Sequence, residues 1–533
     1  MNGYLNKTVS LMRFILRRER IISAIWIALL ALFAVGLGPA PMDQLFDAES
    51  RYALAETLNS PAMVAMMGPV FGMDDFHGGA MYTVTMVLWI LLTVGVMNIF
   101  LIVRHTRADE ERGRAEVVRS LPAGRLANLC AALSAAAIVN FLLGAVIALG
   151  LWASGNDMGL SGTALYGFVI FATGMFFAAL TAVFCQLSSS SRGAAGYAFL
   201  ALGVLYMMRA AGDMGTEALS YISALGLAQR SQIYIENIWW PSAALLLEAA
   251  VLAVTAFALN AVRDLGQGMI PARRGRAEAP KSLSSSFGLS LRLLKGQLIV
   301  WITVIFLLGA SYASVLGDID SFIESSEFYQ GIIGVNPNFP LTEMFAAMVN
   351  NIMALVCLIP LISAALKPRG EESDGRAEHI LSRTVSRPKY LSGYVILAFA
   401  ASVLLQFANA FGLYLTASAM PDVDLSFSFL MKANLVYLPA QWALIGAAVL
   451  LVGLLPKASA AIWGYYGFTF FGSFIGRTID LPDWISGLQP FHYIPQLPVD
   501  EINPLPLAVL TLAAAALTAV GFVFYRRRDM LTV

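Results

Sequence analysis

The residues whose types and spacing could do chemistry lie in two charged stretches of an otherwise apolar chain. The first, RADEERGRAEVVRSLPAGR, runs from Arg107 to Arg125, and the second, RGEESDGRAEHILSRTVSR, runs from Arg369 to Arg387, 262 residues later. Eight of their nineteen aligned positions are identical, pairing Arg107 with Arg369, Glu110 with Glu372, Gly113 with Gly375, Arg114 with Arg376, Ala115 with Ala377, Glu116 with Glu378, Ser120 with Ser382 and Arg125 with Arg387. The chemistry that such mixed charges support is recognition: opposite signs in fixed order set the register of a partner surface. A charged loop kept twice points to docking.

Other chemistries lack their residues. No G-x-x-x-x-G-K-[ST] occurs, and none of the seven lysines follows a glycine, so the chain cannot hydrolyse ATP in the P-loop manner. HExxH, CxxC and GxSxG are absent as well. His77, His105, His379 and His492 are scattered and read as surface residues. Cys130, Cys185 and Cys357 sit in apolar runs as small core residues, with no metal site implied. The 34 basic and 34 acidic side chains cancel, which leaves no field for nucleic acid.

The elements that must position the two loops are membrane spans. Hydrophobic residues make up 58% of the 533 and charged residues 13%, with a mean hydropathy of +0.71, so the lipid bilayer is the natural solvent. Apolar stretches of about 20 residues predict twelve spans, near 21–38, 81–103, 128–152, 164–186, 194–210, 241–262, 297–316, 344–366, 391–416, 433–455, 458–476 and 505–525. The basic N-terminal segment before the first span carries no convincing cleavage site and reads as uncleaved. With the N-terminus inside, 29 of the 34 Lys and Arg fall in cytoplasmic segments. Acids such as Asp74, Asp75, Asp318, Asp500 and Glu501 fall outside. The positive-inside rule therefore places both termini in the cytoplasm.

The repeat reaches beyond the loops. Gly196-Tyr197 matches Gly464-Tyr465, Arg209 matches Arg477, and Arg263-Asp264 matches Arg528-Asp529. The expected fold is thus an all-α polytopic membrane protein, two parallel six-helix repeats of twelve transmembrane helices in all. The first half covers 1–265, a basic cytoplasmic linker with an interfacial helix covers 266–296, and the second half covers 297–533. Gly275-Arg276-Ala277-Glu278 repeats the GRAE tetrapeptide in that linker without the upstream acids, and does not count as a third docking loop.

Read as one helix, Glu110 to Leu121 gathers Val117, Val118 and Leu121 on one side and charges on the rest. Pro122 and Gly124 end it. Such a helix can press its apolar side into a partner's groove. Arginine-rich loops also serve as ordinary topology determinants, but orientation does not require Glu110, Glu116, Glu372 or Glu378.

The loop EERGRAEVVRSLPAGR resembles the charged motif after the second span of type-2 ABC exporter permeases, which lies beside the helix that meets the ATPase. The two-half layout with PARRGRAEAP in the linker is similar, more narrowly, to fused permeases described as exporters of polyketide antibiotics. This resemblance implies that Glu110, Gly113, Arg114, Glu116, Pro122 and Arg125 form a first coupling site, and Glu372, Gly375, Arg376, Glu378 and Arg387 a second. Thr384 stands where the first copy has Pro122, and Asp374 where it has Arg112, so the two sites are expected to be unequal. The resemblance further implies a separate ABC ATPase, most simply two copies, that binds ATP and Mg. The chain itself is then a transport subunit of the bacterial cell (inner) membrane and not an enzyme.

Polar groups inside spans mark partners or cavities. Asn98, Asn140, Glu248, Asn350, Asn351, Gln406, Asn409 and Gln441 qualify, with helix–helix hydrogen bonding as the plainer reading of the amides. By the same resemblance the second and fifth spans of each half line a cavity, and Tyr197, Tyr206, Trp463, Tyr465, Tyr466 and Phe470 make an adaptable apolar wall for a hydrophobic small molecule. The expected function is ATP-driven outward export of a drug or polyketide-like compound by alternating access. The alternative is an ion- or proton-coupled secondary carrier of twelve spans.

Overall fold

The structure is a computed structural model, and it describes residues 4–36, 48–154, 159–271, 275, 277–313, 316–318, 339–420, 423, 425–475 and 482–529. Its regular elements are all helical among these residues. The chain divides into two compact units, Met1–Gly275 and Arg276–Val533, with the boundary inside the predicted basic linker.

Unit 1 opens with α1 (Thr8–Gly36), followed by the short helices α2 (Ala48–Leu58) and α3 (Pro61–Met67). The long helix α4 (Gly78–His105) then runs into the charged loop, which holds α5 (Arg107–Glu111) and α6 (Arg114–Arg119). Next come α7 (Ala127–Ala153), α8 (Gly159–Leu187) and α9 (Ser191–Met214), two small helices α10 (Glu217–Ile222) and α11 (Ala224–Gln229), and α12 (Trp240–Val262). Unit 2 has α13 (Ser286–Ala313), α14 (Leu341–Ser373), α15 (Glu378–Leu381), α16 (Arg387–Ala417), α17 (Phe427–Leu435), α18 (Leu438–Leu454), α19 (Ala461–Ile475), α20 (Asp483–Ser486) and α21 (Pro504–Arg527).

Eleven of these helical segments are long and apolar enough to cross a membrane, counting α17 and α18 as one. The predicted span at 458–476 is the difference. The described residues carry its helix α19 over Ala461–Ile475, 15 residues. The residues that would continue it, 476–481, lie outside the described set, as do Arg477 of the repeat and several of the predicted outer acids. One further expectation changes. The interfacial helix of the linker, FGLSLRLLKG from Phe287, is continuous with the span after it, as the basic N-terminal segment is with the first span. A basic amphipathic turn needs no break when its carbonyls can bond straight into the next apolar turn.

Small residues set the packing. A methyl group at Gly144 on α7 would collide with the Gly167 carbonyl on α8, and one at Gly453 on α18 would collide with the Gly521 carbonyl on α21. These pairs let backbones approach closely, the usual means of helix association where lipid removes the hydrophobic drive. The small outer helices are fixed by polar contacts. The fully buried Arg209 guanidinium on α9 donates to the carbonyl oxygens of Ala65 at 2.5 Å and Met66 at 3.3 Å, capping the C-terminal end of α3. Arg209 and Arg230 both reach the buried Asp213 carboxylate, at 3.3 and 3.4 Å, and Ser220 donates to it at 2.6 Å.

Candidate functional site

The first charged loop is not one helix. Gly113 interrupts it with a left-handed backbone, φ +70°, and Gly375 does the same in the second loop at φ +71°. Only glycine adopts this conformation without steric cost. The turn separates two roles that the sequence reading had combined in a single face.

Before the turn, Glu110 points inward. Glu110 on α5 accepts both guanidinium nitrogens of Arg263, at 2.5 and 2.9 Å, and a third bond from Arg107 at 2.7 Å. Arg107 is 1% exposed and also donates to the carbonyl oxygens of Ser189, Gly266 and Gln267, at 2.6, 2.7 and 3.1 Å. Arg263 donates from Nε to Gln186 at 3.0 Å, and Arg125 donates to the Arg263 carbonyl at 2.9 Å. Glu111 completes the seam by accepting from the Ser191 hydroxyl and backbone N–H. The loop is thereby bolted to the ends of α8, α9 and α12 within unit 1. A fork of two parallel N–H···O bonds fixes orientation as well as distance.

Unit 2 repeats the bolt with the matching residues. Glu372 on α14 accepts from a single Arg528 nitrogen, Nη2, at 2.7 and 2.9 Å and from the Tyr525 hydroxyl at 2.6 Å, and it is 1% exposed. Arg387 donates to the Arg528 carbonyl at 2.5 Å, as Arg125 does to Arg263. A second acid clasps the arginine across each glycine turn. Asp109 takes Arg114 at 3.2 Å, and Glu371 takes Arg376 at 2.7 Å. Its hydrogen bond to Glu371 holds the Arg376 guanidinium above the usual arginine range. Arg263 and Arg528 had appeared in the sequence only as a repeated Arg-Asp pair. Their role as partners of Glu110 and Glu372 requires the fold.

After the turn, the side chains point outward. On α6, Glu116 is exposed, Val117 is 68% exposed and Leu121 just beyond it is 60% exposed, with Arg114, Arg119 and Pro122 around them. Val117 and Leu121 are one turn apart, so they present one apolar knob rimmed by charge. A groove of about 380 Å³ opens beside it, between Leu11, Phe14 and Arg18 of α1 and Arg114, Val117 and Val118. The α1 wall is tied in place through charge: Arg18 reaches Asp109 at 2.8 Å, and the buried Glu19 takes His105 at 2.7 Å and Arg104 at 2.8 Å. His105, expected at the surface, is instead fully enclosed. The second loop presents less. Its helix α15 has four residues against six in α6, and Ile380 and Leu381 are only half-buried beside the exposed Glu378.

The expected pathway residues separate by unit and by role. Asn98 and Asn140 are fully buried and bond each other reciprocally at 2.9 and 2.8 Å, the helix–helix reading. Tyr206 donates to the Met66 carbonyl at 3.0 Å, and Tyr465 to that of Leu488 at 2.8 Å. Tyr197 is exposed beside Leu200, Val204 and Met207 on α9. On α19, Trp463, Tyr466 and Phe470 contact one another in succession at 6.0 and 6.1 Å between ring centres. Asn350 joins a buried amide group, whereas Asn351 is half-buried. Glu248 sits half-buried on α12. Asn434, which the sequence reading passed over, is fully buried with Asn350 and Asn409. Its place one residue before the end of α17 hid it among the apparent boundary residues.

Comparison with known proteins adds two findings. A family model described as the C-terminal domain of multidrug efflux system permease Rv1217c matches residues 283–526. Over 527 residues the chain is 33% identical to the multidrug efflux system permease protein Rv1217c of Mycobacterium tuberculosis, covering 98% of this chain and 95% of that protein.

Proposed function

The chain belongs to the family of the multidrug efflux system permease Rv1217c, and from that premise we propose that it is the membrane subunit of an ATP-driven ABC exporter. Its cargo is a hydrophobic, drug- or polyketide-like compound, moved outward by alternating access across the bacterial cell membrane. A partner ATPase in two copies binds ATP and Mg. The observation that carries the coupling role is the twice-built bolt: Glu110 on Arg263 and Glu372 on Arg528, each beneath a glycine-turned loop. A loop that transmits force from a partner must be rigidly joined to the helices it moves, and a buried ion pair supplies that stiffness, a two-nitrogen fork at Arg263 and one nitrogen shared by both carboxylate oxygens at Arg528. The exposed Val117–Leu121 knob with its charged rim is the part left for the partner.

The reading also takes the molecule as two parallel six-span repeats with cytoplasmic termini, which puts both loops on the ATPase side. The matched bolts support it, as does the concentration of arginine and lysine beside them. Affinity capture of the tagged full chain from its native membrane tests the partner. A protein with a G-x-x-x-x-G-K-[ST] motif should co-purify, and Leu121→Asp should release it. Purification without any ATPase, together with uptake driven by a proton gradient alone, would favour the secondary carrier.

A further inference from the structure

Unit 2 buries five side-chain amides at one place among its helices. Asn350 on α14, Gln406 and Asn409 on α16, Asn434 on α17 and Gln441 on α18 are all fully buried. The Asn409 Nδ2 donates to Asn350 at 3.1 Å and to Asn434 at 2.7 Å, and Asn434 donates to Asn350 at 3.0 Å. Gln441 donates to the Ala354 carbonyl at 2.8 Å, one helical turn along α14 from Asn350. Gln406 lies one turn along α16 from Asn409. The amides thus occupy two successive levels of one helix cluster.

Their hydrogen bonding is incomplete. Both amide atoms of Gln406 lack a partner, as do Oε1 of Gln441, Oδ1 of Asn409 and Nδ2 of Asn350. Exchanging the oxygen and nitrogen of an amide does not help Gln406, which is unpaired either way. An amide atom left dry in a helix bundle carries its full desolvation penalty. Asn98 and Asn140, buried together in unit 1, satisfy each other instead.

Packing does not ask for amides here. In the register that aligns Arg107 with Arg369, the places of Asn350, Gln406 and Asn409 are held in unit 1 by Leu88, Gly144 and Ile147, all buried. The same helices can therefore close on hydrocarbon. The atoms left over in unit 2 include both N–H donors and C=O acceptors, with no charged group among them. A cation would want oxygens only, and an anion N–H groups only.

We propose that Asn350, Gln406, Asn409, Asn434 and Gln441 form a buried binding site for an uncharged group that both donates and accepts hydrogen bonds. Water and a hydroxyl or amide of the transported compound share that chemistry. The first source stands without the exporter reading; the second deepens it by giving the cargo an uncharged polar group.

The test uses the full chain in lipid nanodiscs, as wild type, Gln406→Met, Gln441→Met and the double variant. Thermal unfolding is measured, with equilibrium binding of two probes: chloramphenicol, which has hydroxyls and an amide, and Nile red, which is neutral and donates nothing. A filled site predicts that each single variant melts lower, with the double variant no higher than either. Chloramphenicol binding weakened about 10-fold or more, with Nile red unchanged, identifies cargo as the source. Both probes binding as in wild type identifies water. The proposal is overturned if Gln406→Met leaves the melting temperature unchanged or raises it, or if both probes weaken equally. Should Gln406→Met not fold, Gln406→Leu provides the same comparison, because Gln406 makes no direct hydrogen bond to lose. Because binding is read without ATP, failure here leaves the ATPase partnership open to its own test.

Discussion

At the scale of single residues, the glutamates of the repeated loops divide into two kinds that look identical in the sequence. Glu110 and Glu372 are buried anchors, whereas Glu116 and Glu378 face outward. Removing an anchor leaves Arg263 or Arg528 as an uncompensated buried charge, so Glu110→Ala and Glu372→Ala should each destabilise by about 3 kcal/mol or more in thermal unfolding. Glu116→Ala should stay within about 0.5 kcal/mol of wild type, yet lower ATP-driven transport. The spacing of acids and bases was legible from the chain. Which acid turned inward was not, because that depends on Arg263, 153 positions away, arriving at the end of α12. Asp109 was hidden for the same reason: its partner Arg18 comes from α1.

At the scale of elements, the glycine turn does what one continuous helix could not. It lets α5 stay locked to its unit while α6 turns its apolar side away. Nothing lies within 4 Å of a methyl group placed on Gly113, so the cost of a substitution there is backbone strain alone. Gly113→Ala should cost about 1 kcal/mol, Gly113→Val more, and Gly113→Asn least of the three, because asparagine tolerates the left-handed region. Transport should fall in the same order. Periodicity merged α5 with α6 because a glycine costs a helix only about 1 kcal/mol, too little for the pattern to show that it changes direction there. The outward faces also differ. Val117 and Leu121 form an exposed pair in the first loop, and the second loop has none among its large apolar residues. Val117→Asp with Leu121→Asp should therefore reduce ATPase capture more than Ile380→Asp with Leu381→Asp. Equal losses would contradict the inequality.

At the scale of the whole molecule, composition points to the lipid solvent and the helical class, and among the described residues eleven helical segments long and apolar enough to span match eleven of the twelve apolar runs. The twelfth run, near 458–476, is helical over Ala461–Ile475, and the residues that would continue it lie outside the described set. The match to an efflux permease supplies the kind of work done, and the duplicated bolt is where we propose that energy enters. The central claim is that ATP hydrolysed by a partner drives this chain through its charged loops. Transport of a hydrophobic dye into inverted vesicles containing the full chain and its captured ATPase tests it most directly. Uptake should require ATP, persist when the proton gradient is collapsed, and fall about 10-fold or more with Val117→Asp and Leu121→Asp combined. Uptake sustained by a proton gradient without ATP, and untouched by changes in either loop, would contradict the account.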